Sequence, residues 1–216
     1  MRARFAFALL VLPFFLPAYA GAENWPGWRG PRGDGTSAEE NIPTRWNGET
    51  GENIAWKVAV PGVGHSSPVV WDDRISLSTC VQDTGAPLLL CLNRKDDGEF
   101  WRREVIEAPL EKKHKLNSFA SGTPVTDGER VYLSFLQADF SDPNRVTPGD
   151  MVVAAYDLEG KQLWLAKPGR FSSTHGFCSS PVLYEDLVII NGDHDGCSYV
   201  VALDRDTSEH RWNTAH

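Results

Sequence analysis

Apolar and polar residues alternate along most of this chain in runs of four to eight, with turn residues between the runs. From Ile54 onward the runs are Ile54–Val60, Ser66–Trp71, Arg74–Cys80, Pro87–Arg94 and Phe100–Ile106. A second set follows as Ser121–Thr126, Arg130–Leu136, Met151–Asp157 and Gln162–Ala166. A third is Ser179–Tyr184, Leu187–Asn191, Ser198–Asp204 and His210–Thr214. Such period-two runs predict half-buried strands. Asp72-Asp73, Asp127-Gly128 and Glu185-Asp186 mark turns between first and second strands. Asp97-Gly98 and Glu159-Gly160 mark turns between third and fourth strands. No amphipathic helix of useful length is predicted.

The sets repeat. Ser67-Pro68-Val69, Thr123-Pro124-Val125 and Ser180-Pro181-Val182 open apolar runs 56 and 57 residues apart. Trp56, Trp101, Trp164 and Trp212 close similar phrases. In the last three an Asn or Asp (Asn93, Asp157, Asp204) precedes the Trp by 8, 7 and 8 residues. A period near 50 residues built from short strands predicts stacked four-stranded antiparallel blades, an all-β propeller architecture. The expected blades are 66–106, 121–166 and 179–214, with 54–60 an orphan strand. Each repeat Trp is expected to wedge between blades with its indole N–H on a neighbouring carbonyl. Three blades do not close a ring, so both end sheets are expected to leave an apolar face uncovered.

The residues before the repeats divide in two. Arg2 and Arg4, the apolar run Phe5–Leu16 and Ala18-Tyr19-Ala20 predict a signal peptide over 1–20. Its removal takes the net charge from -8 to -10, because only the two arginines leave. No Cys adjoins the cleavage point, which argues against a lipid anchor there. Residues 21–53 are a Gly/Pro/Trp-rich lead-in, irregular because Trp25-Pro26-Gly27-Trp28-Arg29-Gly30-Pro31 breaks any helix. No second long apolar stretch predicts a membrane span once the leader is gone. The acidic balance offers no field for nucleic acid. An exported, periplasmic or secreted protein is expected.

Export permits disulfides. Cys80 and Cys91 flank a hairpin taken to centre near Gly85-Ala86, which would set them face to face as a candidate disulfide.

The phrase Ala-x-Asp-x-x-(Thr-Gly)-x-x-x-Trp, best matched by Ala202-Leu203-Asp204-Arg205-Asp206-Thr207-Ser208 to Trp212, resembles the repeat of the pyrroloquinoline-quinone-like β-propellers. That family includes quinoprotein alcohol dehydrogenases and the assembly factor BamB. The Trp25–Gly35 opening and Gly62-Val63-Gly64-His65-Ser66-Ser67-Pro68 look like exported, planctomycete-type members. The resemblance implies rings of seven or eight blades, so this chain looks like the N-terminal part of a longer protein.

Topology gathers Gly62–Ser66, Glu107–Ser118, Lys167–Gly176 and Asn191–Gly196 on one face. His65, His114, Lys115, His175 and His194 are therefore the binding-face candidates. Asn191, Asp193 and Asp195 place oxygens at positions 1, 3 and 5 of a loop with Gly196 at 6, a weak calcium-loop pattern. No nucleophile elbow, H-E-x-x-H, P-loop or GxGxxG is present, and no catalytic residue is assigned. The resemblance offers two functions. One is a non-catalytic scaffold that binds a protein or small ligand without a cofactor. The alternative is a quinone- and calcium-dependent alcohol or sugar dehydrogenase. The dehydrogenases carry an adjacent Cys-Cys pair, which this sequence lacks, so the scaffold is the primary reading.

Overall fold

The fold is described by a computed structural model covering residues 22–140 and 148–215; the leader expected at 1–20 lies outside them. The first sheet holds β1 (Val69–Trp71), β2 (Arg74–Val81), β3 (Ala86–Asn93) and β4 (Glu99–Glu104). The second holds β5 (Val125–Thr126), β6 (Arg130–Ala138), β7 (Pro148–Asp157) and β8 (Gln162–Ser172). The third holds β9 (Val182–Tyr184), β10 (Leu187–Gly192), β11 (Tyr199–Asp204) and β12 (His210–Ala215). Each sheet is antiparallel with its strands in chain order, and the described residues contain no helix. These are three propeller blades.

The core lies between blades. Along β7, Met151, Val153 and Ala155 face the third blade, where Val188, Ile190, Val201 and Leu203 meet them. Ala154 and Tyr156 face the first blade, against Leu89, Cys91 and Trp101. A strand buried on both faces reads as a continuous apolar run, as Met151–Tyr156 does.

Each junction is held at the same points. Near the axis, the N–H of Ser67 donates to the Thr123 hydroxyl (3.0 Å), and the N–H of Thr123 to the Ser180 hydroxyl (2.9 Å). The Ser78 hydroxyl donates to the Gly122 carbonyl and that of Ser134 to the Ser179 carbonyl. At the rim, the indole N–H of Trp101 donates to Leu158 O (2.9 Å) and that of Trp164 to Arg205 O (3.0 Å). Both acceptors directly follow the repeat Asp, whose carboxylate closes its own turn on the N–H groups of Glu159 and Lys161, or of Asp206 and Thr207. The Asx turn thus aims a free carbonyl at the preceding blade's Trp. Gly160 (φ 80°) lies beneath the Trp101 ring, where an added Cβ would come within 2.6 Å.

The structure corrects several expectations. The inner strands start at Val69, Val125 and Val182, not at the preceding hydroxyl residues, because Pro has no N–H and Ser67 and Thr123 bond across to the next blade. β8 runs to Ser172, since Pro148–Met151 gives it a longer partner. Ile54–Val60 is not a ladder strand: among the described residues no strand pairs with it. It lies extended, with Ile54, Trp56 and Val58 half-buried between exposed neighbours. Trp56 still donates to Arg94 O (2.9 Å), the place a preceding blade's Trp would fill. With the Val63–Cys80 bridge and the Thr79–Pro61 bond, this strap runs along blade one, whose Leu88 and Leu90 are buried, so among the described residues the third blade keeps a bare face and the first does not. There Trp212 is 39% exposed, and its indole meets no acceptor among the described residues.

Cys80 pairs with Pro87 and Cys91 with Ser76, so the two are not face to face and both thiols are free. Gly85 closes the turn by donating to Val81 O, which sets the hairpin centre two residues earlier than expected. Burial pushes each thiol up to about 11. In every blade the fourth strand slips one residue against the third, leaving Phe100, Leu163 and Arg211 unpaired.

Candidate binding face

The connection after blade one and the connection after blade two are bonded to each other. Asn117 is the hub. Its Nδ2 donates to His175 O (2.8 Å), and its Oδ1 accepts from the Ser118 N–H (2.8 Å) and the Ser121 hydroxyl (2.6 Å). The His114 N–H also donates to His175 O. The Phe177 N–H donates to the Glu111 carboxylate (3.0 Å). The bonds to the His175 carbonyl and the Phe177 N–H join residues far apart in sequence and fix a two-loop platform.

The expected site residues separate into three groups. His114 and His175 come together, with ring centroids 5.7 Å apart, and Lys115 lies exposed beside them. His194 is engaged in its own turn. Its Nδ1 accepts the Gly196 N–H, so Nε2 carries the proton and donates to Cys197 O (3.1 Å), while the ring packs on Phe171 and Tyr199. His65 stands apart in a cleft of about 470 Å³ on the first blade, between the strap and Leu77–Thr79; no hydrogen bond or ring contact joins it to the other three.

Asn191, Asp193 and Asp195 do not converge. Asn191 Oδ1 accepts the Asp193 N–H, Asp193 accepts the Ser198 hydroxyl, and Asp195 accepts the Thr174 N–H and hydroxyl. The oxygens tie the turn and pin it to the neighbouring loop. Among the described residues no three His, Cys, Asp or Glu side chains group to hold a metal ion. The expected calcium-loop pattern is an Asx-rich hairpin whose three side-chain oxygens are already engaged by backbone N–H and hydroxyl donors.

Three features of the platform were not read from the sequence. Glu111 heads the basic run Glu111–Lys115 yet is its half-buried anchor. Burial pushes its carboxyl up to about 7, opposed by the Phe177 N–H and by Lys113. Asn117 is the hub. Leu116 is 76% exposed at the loop tip. An apolar residue flanked by Lys115 and Asn117 was the available signal for Leu116; Glu111 had none, because its partner is 66 residues away.

The opposite end of the inner strands is occupied by the lead-in. Trp25 exchanges two backbone hydrogen bonds with Val70, and Pro26 O accepts from the Thr126 N–H. Val70 and Thr126 are equivalent positions of blades one and two, so Trp25-Pro26 staples the two inner strands together.

A comparison with curated proteins finds no match. Among solved structures, a europium-containing methanol dehydrogenase superposes with a TM-score of 0.50 at 12% identity, over 72% of this chain and 25% of that one. BamB from Moraxella catarrhalis gives a TM-score of 0.43 at 16% identity, over 74% of this chain and 41% of that one. The chain therefore spans well under half the length of either. The methanol dehydrogenase likeness bears on fold alone and agrees with the blades described above. The family described as outer membrane protein assembly factor BamB matches residues 39–216. With its three Asx-to-Trp blades, this chain belongs to that family of quinone-like β-propellers.

Proposed function

We propose that the protein is an exported, non-catalytic propeller scaffold that holds a protein partner on the two-loop platform. The observation that carries this reading is the exposed Leu116 at the tip of a loop locked by Asn117, His175 and Glu111. An exposed apolar side chain held on a rigid loop among polar residues is suited to a protein contact. His114, Lys115 and His175 form the polar surround. Membership of the BamB family supports a protein partner. The dehydrogenase alternative needs convergent metal ligands, whereas Asn191 and Asp193 use their oxygens within the hairpin and Asp195 accepts from Thr174 in the neighbouring loop.

The test is a photo-crosslinking residue at position 116 of the exported full-length protein. A discrete protein adduct is expected, lost on His175→Ala or when position 117 is changed to Ala. Stoichiometric quinone uptake with calcium, followed by dye reduction, would overturn the scaffold reading in favour of the dehydrogenase.

A further inference from the structure

His114 and His175 come from different connections, yet their rings stand side by side, 5.7 Å apart between centroids and tilted by 58°. Both residues are exposed. The His114 ring makes one long hydrogen bond, its Nδ1 accepting the Leu116 N–H at 3.3 Å. The His175 ring makes none among the described residues. His194 differs, because both of its ring nitrogens are engaged inside its own turn.

A metal ion bonded to imidazole nitrogens at about 2.0–2.1 Å sits roughly 3.2 Å from each ring centroid. Two rings sharing one ion, at angles between tetrahedral and trigonal, then stand roughly 5.2–5.5 Å apart. The observed pair is within a few tenths of an ångström of that spacing. We infer that His114 and His175 form a two-ligand site for a divalent transition-metal ion that imidazole favours, zinc or copper, clasping the two connections by their side chains.

The backbone beneath the pair is already fixed. His175 O accepts both the His114 N–H and Asn117 Nδ2, so loading the ion orders two side chains and not two loops. The surrounding charge is arranged compatibly. The Asp195 carboxylate, held by the Thr174 N–H and hydroxyl, lies within electrostatic reach of His175 and favours a cation there. Lys113 is turned away: its ammonium donates to Asn117 O and lies 4.7 Å from the centre of the Phe119 ring. Lys115 is exposed, where solvent screens its charge. Glu111 is engaged with the Phe177 N–H. Among the described residues no third His, Cys, Asp or Glu joins the pair, so water fills the remaining positions. Nitrogen donors suit zinc or copper and not calcium, which takes oxygen ligands. His114 binds through Nε2; its proton moves to Nδ1, and the long Leu116 bond is lost.

Zinc titration of the untagged full-length protein by calorimetry tests the site. Changes to groups behind a metal ligand cost about 10–100-fold in affinity, so losing one of two ligands should cost at least about 100-fold. His114→Ala and His175→Ala should each show that loss, and His210→Ala, on β12, should not. Zinc should raise the melting temperature of the unaltered protein and of neither ligand variant. Copper(II) in place of zinc should show two imidazole nitrogens by electron paramagnetic resonance, a count that needs no variant to fold. These measurements use no partner, and the crosslink at position 116 is read without added metal, so the site and the scaffold reading fail separately. A single imidazole nitrogen on copper, or a loss below about 10-fold in either ligand variant, overturns the site.

Discussion

Trp164 and Trp212 hold the same place in consecutive blades and have different surroundings. Trp164 is 9% exposed, and its indole is bonded to the next blade's turn; Trp212 is 39% exposed and has no acceptor among the described residues. Both sit on a fourth strand beside a core alanine, Ala155 or Ala202. The difference comes from what lies beyond. A blade does not bury its own Trp; its neighbour does. The repeat phrase is therefore half of a contact, with the Asx turn of the following blade as the other half. Stability should be concentrated at junctions and nearly absent from the bare face.

The sharpest way to break this comparison is to truncate both residues. Trp164→Ala should cost about 3–5 kcal/mol, the range for a large buried aromatic, and Trp212→Ala less than about 1 kcal/mol. Equal losses in urea melts would refute the idea that the neighbour confers the stability.

Next in size is the half-buried carboxyl between the two connections. The folded pKa of Glu111 is raised to about 7. The native state keeps a proton that the unfolded chain releases, so stability is greatest below the ordinary glutamate pKa and falls as pH rises toward 7. Glu111→Gln keeps an acceptor for the Phe177 N–H without the charge. It should flatten that decline and gain on the order of 2 kcal/mol at pH 8. A melting profile whose slope between pH 4.5 and 7 is unchanged in the variant would remove Glu111 from this role.

Gly160→Ala probes the turn half of the contact. It forces a Cβ toward the Trp101 ring at a left-handed φ and should cost about 1–2 kcal/mol. The loss should shrink in a Trp101→Leu background, as a double-mutant cycle would show. The smallest contrast is Ser134→Ala, expected to cost about 1 kcal/mol through the bond to Ser179 O, against Asn191→Ala, expected to stay within about 0.5 kcal/mol.

The blades were readable because their strands alternate and their hairpins carry Asp and Gly turns. Local pattern stops short where a partner is distant. Ile54–Val60 alternates as a strand would, yet alternation reports only that one side is covered, and here the cover is blade one. The β2–β3 register was misplaced because Gly85 was taken as the centre of its hairpin, when it is the last residue of the turn. His114 and His175 were placed on one face by topology alone, and they meet. Glu111 was not among the expected site residues, because nothing near it in sequence announces Phe177.

The one-residue slip in every fourth strand has a consequence for life in a crowded compartment. β4, β8 and β12 are the rim strands, where outward N–H and C=O groups could recruit a passing chain. The slips at Phe100, Leu163 and Arg211 interrupt each rim and increase its local twist, and β8 is interrupted a second time opposite Met151–Val153. No rim then offers a long, flat template. Arg102, Arg103 and Glu104 add charge along one of them. A repeat copied around a ring would copy an aggregation-prone edge just as faithfully, and here each copy carries its own interruption.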